Sequence, residues 1–192
     1  RKQEKGGGHC QKNQCRTTYC HAAAGHDPEV NAQLGPNFKL VADGGTYVAP
    51  VVEMKKLVDS GAAGFVYVYY PGHGNGEMGT KAMYCASEKG KFWEAHDLLM
   101  SNAGYNLMNN DIKNDKAGSG KLADFLKSAV NANDMKSCLD SGKYDNALTA
   151  AMAVAQGMNV KATPGFFVDT TFFEGAYSYK DMESAVKTAQ SN

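Results

Sequence analysis

"VKATPGFFVDTTFFEGA", residues 160–176, is where the periodicity of this chain changes. Upstream of it, apolar residues recur at helical spacing. Here "GFFVD" and "FFEGA" are short apolar runs rich in aromatics, set around Asp169-Thr170-Thr171. Two such runs with a brief polar link between them predict an antiparallel hairpin. Thr163-Pro164 stands directly ahead, and a proline, which cannot donate to a ladder, suits the start of a strand. Beyond the hairpin, Tyr179, Met182, Val186 and Ala189 give one face of a closing amphipathic helix.

Working back toward the N-terminus, "KYDNALTAAMAVAQGM" (143–158) places Tyr144, Leu148, Ala151, Ala155 and Met158 in steps of four and three. "KFWEAHDLLM" (91–100) aligns Phe92, His96 and Leu99 on one stripe, which reads His96 as a core histidine rather than a catalytic base. "KLADFLKSAV" and "ANDMKSCLD" read as short helices, and "SNAGYNLMNNDIKNDKAGSG" (101–120) as a loop. Further upstream, "FVYVYY" (65–70) is a continuous β-branched and aromatic run closed by Pro71-Gly72, the pattern of a strand buried on both faces. "YVAPVVEMKKLVDSG" (47–61) has helical spacing, basic residues near its end and a terminal glycine. "NFKLVAD" (37–43) is a short strand candidate. The order is strand, helix, strand, long helical insert, hairpin, helix. That order predicts an α/β fold with a mixed sheet, the first crossover supplying a parallel pair and the hairpin the antiparallel strands. The expected organisation is an irregular cysteine-containing arm (1–34), a first half-domain (35–78), an α-helical insert (79–158) and a second half-domain (159–192).

The 192 residues suffice for one well-cored domain with an inserted subdomain. Twenty Lys and Arg balance twenty Asp and Glu, so no cationic surface for nucleic acid is expected. No apolar run reaches the length of a bilayer span, and "RKQEKGGG" at the start has no apolar core of an export signal, so any such signal is expected to have been removed.

Three stretches, in order and at the right spacing, resemble the DsbA-like thiol-disulfide oxidoreductases: "CASEKGKFWEAHDLL" (85–99), "CLDSGKYDNAL" (138–148) and "VKATPGFFVD" (160–169). With "LGPNFK" and "APVVEMKKL", the likeness covers roughly residues 34–190. It implies a thioredoxin-like fold carrying a helical insert. It also implies a cis bond at Thr163-Pro164, facing the active-site cysteines and presenting backbone to an extended protein or peptide substrate. Taken alone, Cys85 and Cys138 read either as buried thiols or as a bonded pair. The resemblance implies a structural disulfide, which would close a loop of about fifty residues, be worth roughly 4 kcal/mol in the chain-entropy model, and point to a periplasmic or otherwise extracytoplasmic location.

A thioredoxin-type active site sets Cys-x-x-Cys at the start of the first helix, where the helix N-terminus favours a thiolate. Counting back from Pro50 puts the two sulfurs at Ala42 and Gly45, in "ADGG", which holds no thiol. The dithiol chemistry is therefore expected to be absent. The remaining cysteines, Cys10, Cys15 and Cys20, crowd into the arm. "CRTTYCH" (15–21) is a stretched form of the haem-attachment motif, with His21 as potential axial ligand. The same cysteines with His9 or His21 could instead bind zinc, and an internal disulfide leaving one thiol over is the third reading. "GNGEMG" (74–79) matches a dinucleotide fingerprint but lacks its strand-first context and reads as a loop. The expected function is a redox-inactive, exported DsbA-like binding or structural module without a cofactor. The alternatives are an active thiol-disulfide oxidoreductase, or a haem or metal protein through the arm.

Overall fold

The computed structural model describes residues 41–42, 45–46, 50–71, 75–161, 165–174 and 179–191. They fall into two compact units: one built from the chain up to Tyr70 and from Ala151 onward, the other from Pro71–Ala150. The boundaries drawn from the sequence alone stood at 79 and 158.

In the first unit, β1 (Val41–Ala42) and β2 (Gly45–Thr46) pair antiparallel, Val41 opposite Thr46 and Ala42 opposite Gly45. The helix α1 (Pro50–Asp59) follows. Its proline occupies the first position, where the missing N–H costs nothing. The helix is closed by Gly61 at φ +73°, a left-handed residue whose N–H meets Val58 O at 3.0 Å while Ala62 N–H meets Leu57 O at 2.9 Å. The run 65–70, predicted as a strand, lies outside regular secondary structure. Tyr67 and Tyr69 are buried and their neighbours half-buried, an alternation typical of extended chain. Aromatic and β-branched residues favour such backbone, but only a neighbour in register turns it into a strand. Among the described residues the ladders are β1–β2 and one further pair, and neither is parallel.

That further pair is the predicted hairpin. β3 (Gly165–Val168) and β4 (Thr171–Glu174) are joined by Asp169 and Thr170, with Asp169 at φ +52°, a conformation aspartate tolerates better than most. All four β3 residues are buried. Phe167 stands opposite Phe172, their rings stacked with centroids 4.4 Å apart. Phe167 also joins Ala155 and Val160 in a small core flanked by Tyr70 and Met158. Phe166 is fully buried, and a phenyl ring so placed contributes about 1.5–3 kcal/mol. The closing helix α8 (Tyr179–Ser191) packs on α1 and β3 through Met182 and Val186, and Gln190 Nε2 donates to Ala62 O at 2.7 Å.

The second unit is helical: α2 (Glu77–Ser87), α3 (Phe92–Leu99), α4 (Asn102–Asn106), a π-helical turn (Leu107–Ile112), a 3₁₀ turn (Lys116–Gly118), α5 (Ser119–Phe125) and α6 (Ala132–Asp140). α7 (Asp145–Gly157) continues the chain and ends at Asn159 in the left-handed region. The segment 101–120, expected as a loop, is therefore mostly helical. Ser101 Oγ caps α4 by accepting from Gly104 N at 3.1 Å, and Gly104, Met108 and Ile112, four apart, turn inward. Gly104 is obligatory there, since a Cβ would sit 2.5 Å from Leu99 O.

The start of α2 is held from a distance. Gly76 offers no capping side chain. Instead Asn114, at φ +62° beyond the π turn, accepts from Glu77 N at 3.0 Å and Met78 N at 3.4 Å, while Asn109 Oδ1 accepts from Asn75 N at 2.8 Å. Replacing Asn114 with alanine should cost about 1–3 kcal/mol, the sum of a lost cap and a non-glycine residue without a local hydrogen bond in left-handed backbone. Asn114→Gly should recover the backbone part and lose only the cap. Urea midpoints of the two variants check the split, and equal losses would refute it.

Candidate functional site

The corner where the fold should carry its chemistry lies between β1 and α1. Ala42 and Gly45 face each other across the β1–β2 ladder, in strands rather than in the first turn of a helix. No cysteine occurs between residues 21 and 84, so this segment brings no thiol of its own to the corner. Thr163 and Pro164, the proposed peptide-contacting pair, fall outside the described residues, between Lys161 and the first residue of β3. Cys10, Cys15, Cys20 and His21, the candidate haem or zinc ligands, also lie outside them, as does His9.

Cys85 and Cys138 are bonded to each other, joining α2 to α6 across 53 positions with their Cα atoms 6.1 Å apart. The surrounding surface is a web of ion pairs. Glu88 accepts from the Tyr144 hydroxyl and pairs with Lys143 Nζ at 2.6 Å, and the Tyr84 and Tyr144 rings lie 5.3 Å apart. Partial burial, then the hydrogen bond to Glu88, pushes the Tyr144 hydroxyl above the ordinary tyrosine range. Lys136 and then Ser119 hold Asp140 below the usual carboxylate range, and a hydrogen bond from Lys81 does the same for Asp145. These groups are held in the form they already have at neutral pH. None is poised near pH 7 as a proton carrier would be.

His96 is 1% exposed, with Nδ1 2.9 Å from Asp97 Oδ1 and its ring beside Phe92 and Trp93. It is a packed core residue, closed to any substrate. The glycine-rich 74–79 segment does not offer a phosphate cradle either, because the N–H groups of Glu77 and Met78 are already taken by the Asn114 carboxamide. Among the described residues, no three His, Cys, Asp or Glu side chains cluster as a metal site would need. Asn109 and Asn114 were missed from the sequence. Their only signal was an asparagine-rich tract, a composition equally suited to a loop.

The family model described as Thioredoxin matches residues 50–188. Three solved structures share the fold. A thioredoxin-like oxidoreductase from Silicibacter pomeroyi DSS-3 superposes with a TM-score of 0.56 at 22% identity, covering 74% of this chain and 78% of that one. BdbD from Bacillus subtilis, in its oxidised form, superposes at 0.55 with 18% identity, over 94% and 100%. The oxidoreductase DsbA from Xylella fastidiosa superposes at 0.54 with 16% identity, over 74% and 77%. At such identities the likeness concerns the fold. No curated protein matches the sequence.

The register makes the corner testable. Directly opposed residues in an antiparallel pair have Cα atoms about 4.5–5.5 Å apart, within disulfide reach. The double variant Ala42→Cys/Gly45→Cys should therefore form an internal bond. Its thiols, placed in strands, should keep a pKa near the ordinary value of about 8.5 instead of the low value of a helix-start thiolate. The pH dependence of iodoacetamide alkylation measures this, and a strongly lowered pKa would show that the corner remains built for redox chemistry.

Proposed function

The chain belongs to the thioredoxin family, in its DsbA-like form with a helical insertion, and from that premise we propose that it is a redox-inactive member acting as a binding module for an extended protein or peptide. The carrying observation is arithmetical and structural together. Residues 21–192 contain two cysteines, and these are bonded to each other in the helical unit. Disulfide exchange needs a thiolate that can attack and a second sulfur that can resolve, and the corner supplies neither. What the chain keeps is Thr163-Pro164 directly ahead of a fully buried β3. A segment entering a sheet in this way can offer backbone groups to an extended partner, with affinity from main-chain hydrogen bonds. The Cys85–Cys138 bond favours an oxidising, extracytoplasmic setting. No helix among the described residues is long and apolar enough to cross a membrane.

A second reading has one observation in its favour. With Cys85 and Cys138 consumed, Cys10, Cys15 and Cys20 remain, an odd set that cannot all pair within one chain. These arm thiols could supply exchange chemistry or hold a metal or haem.

Insulin reduction by the full chain separates the two. The first reading expects no acceleration over dithiothreitol alone, with or without prior alkylation. Turnover abolished by alkylation, and by replacing Cys10, Cys15 and Cys20 with serine, would replace it with the second. A Soret band in the purified protein would assign the arm to haem.

A further inference from the structure

We propose that the Cys85–Cys138 bridge is a folding-gated lock, closed to outside thiols for as long as α2 and α6 stay packed. The proposal is independent of what the first unit binds. Reduction of a disulfide begins with a thiolate attacking one sulfur and expelling the other as a thiolate. The two sulfurs here are unequal. Cys85 is 4% exposed and lies on the inward face of α2 with Ala82, Met83 and Ala86, each 1% exposed or less. An outside thiolate cannot reach it. Cys138, on α6, is half-buried and is the sulfur a small thiol can approach.

Attack at Cys138, however, must expel the Cys85 thiolate into that apolar layer. Burial among apolar side chains disfavours a departing thiolate, which makes Cys85 a slow leaving group. The lysines closest in sequence to Cys85 are already engaged. Lys81 on α2 and Lys89 just beyond its end, four positions to either side of Cys85, are paired with Asp145 at 2.7 Å and Asp134 at 3.4 Å, and the charge of Glu88 is met by Lys143. The reachable sulfur thus has the poor leaving group, and the better target is shielded. Exchange waits until α2 and α6 part and Cys85 meets water. The steps then are ordinary: a reductant thiolate bonds to Cys138 Sγ, Cys85 leaves and takes a proton from solvent, and a second reductant thiol releases Cys138. Two thiols are oxidised to one disulfide as the bridge gains two electrons and two protons. Formation runs the same route in reverse, with a disulfide-bearing oxidant acting on the open unit.

The test is the rate of reduction of the full chain by dithiothreitol over a wide range of concentrations, quenched by alkylation. Peptide mass spectrometry counts Cys85 and Cys138, and far-UV circular dichroism follows in parallel. The lock predicts a rate that levels off as dithiothreitol rises, with Cys85 alkylation tracking the loss of helical signal. Leu139→Ala, which removes a buried side chain from α6, should raise the plateau about tenfold or more. A rate proportional to dithiothreitol with the helical signal intact, or a thiol adduct trapped on Cys138 in the folded protein, would overturn the proposal. Should Leu139→Ala not fold, the concentration dependence of the native chain decides.

Discussion

Between Cys85 and Cys138 one covalent bond does two things at once. It closes 53 positions of chain, removing conformational freedom from the unfolded unit worth about 4 kcal/mol in the chain-entropy account, and so fixes α2 against α6. It also consumes both cysteines of residues 21–192. In an enzyme of this architecture the thiols belong at the first helix. Here Cys85 and Cys138 are a staple in the helical unit, and the segment 21–84, which leads into and through the first helix, holds no cysteine.

The same unit shows how a helical segment can be organised without a cap of its own. Gly76 leaves the first N–H groups of α2 without a local acceptor, and the carboxamide of Asn114 supplies one from 36 and 37 residues away. To present it, the chain passes through a π turn and then two left-handed residues, Lys113 and Asn114. Backbone of that kind costs energy at each non-glycine position, and the shared hydrogen bonds offset it. Where a phosphate would sit in a nucleotide-binding protein, this chain has placed a neutral side chain from its own sequence.

How much of this could be read from the sequence depended on how local the determinants were. The hairpin 165–174 was legible because its aromatic strands and short polar link sit within ten consecutive residues. The helix 145–157 was legible from its regular apolar steps. The segment 101–120 was not, because its helical character rests on Gly104, Met108 and Ile112 turning toward a core that other helices complete. The run 65–70 failed in the opposite sense: its residues favour extended backbone, but a ladder requires a partner the residue types cannot specify. At the corner, the absence of thiols was plain, while the pairing of Ala42 with Gly45 was hidden. Counting from Pro50 fixes position along the chain, not the direction in which the chain turns.

That pairing bears on what the corner can do. A helix-start site lowers a thiol pKa because backbone N–H groups converge on the sulfur. Here Ala42 and Gly45 stand opposite each other in a short antiparallel ladder, whose N–H groups run across the strands and do not converge on one point. The contrast with a helix-start site therefore lies in the backbone as well as in two side chains, since Ala42 and Gly45 stand in paired strands. A binding role asks nothing of that corner, which is consistent with a first unit whose buried core lies around Phe166, Phe167, Met182 and Val186. A helix-start dithiol at this corner would require the backbone to change along with the residues.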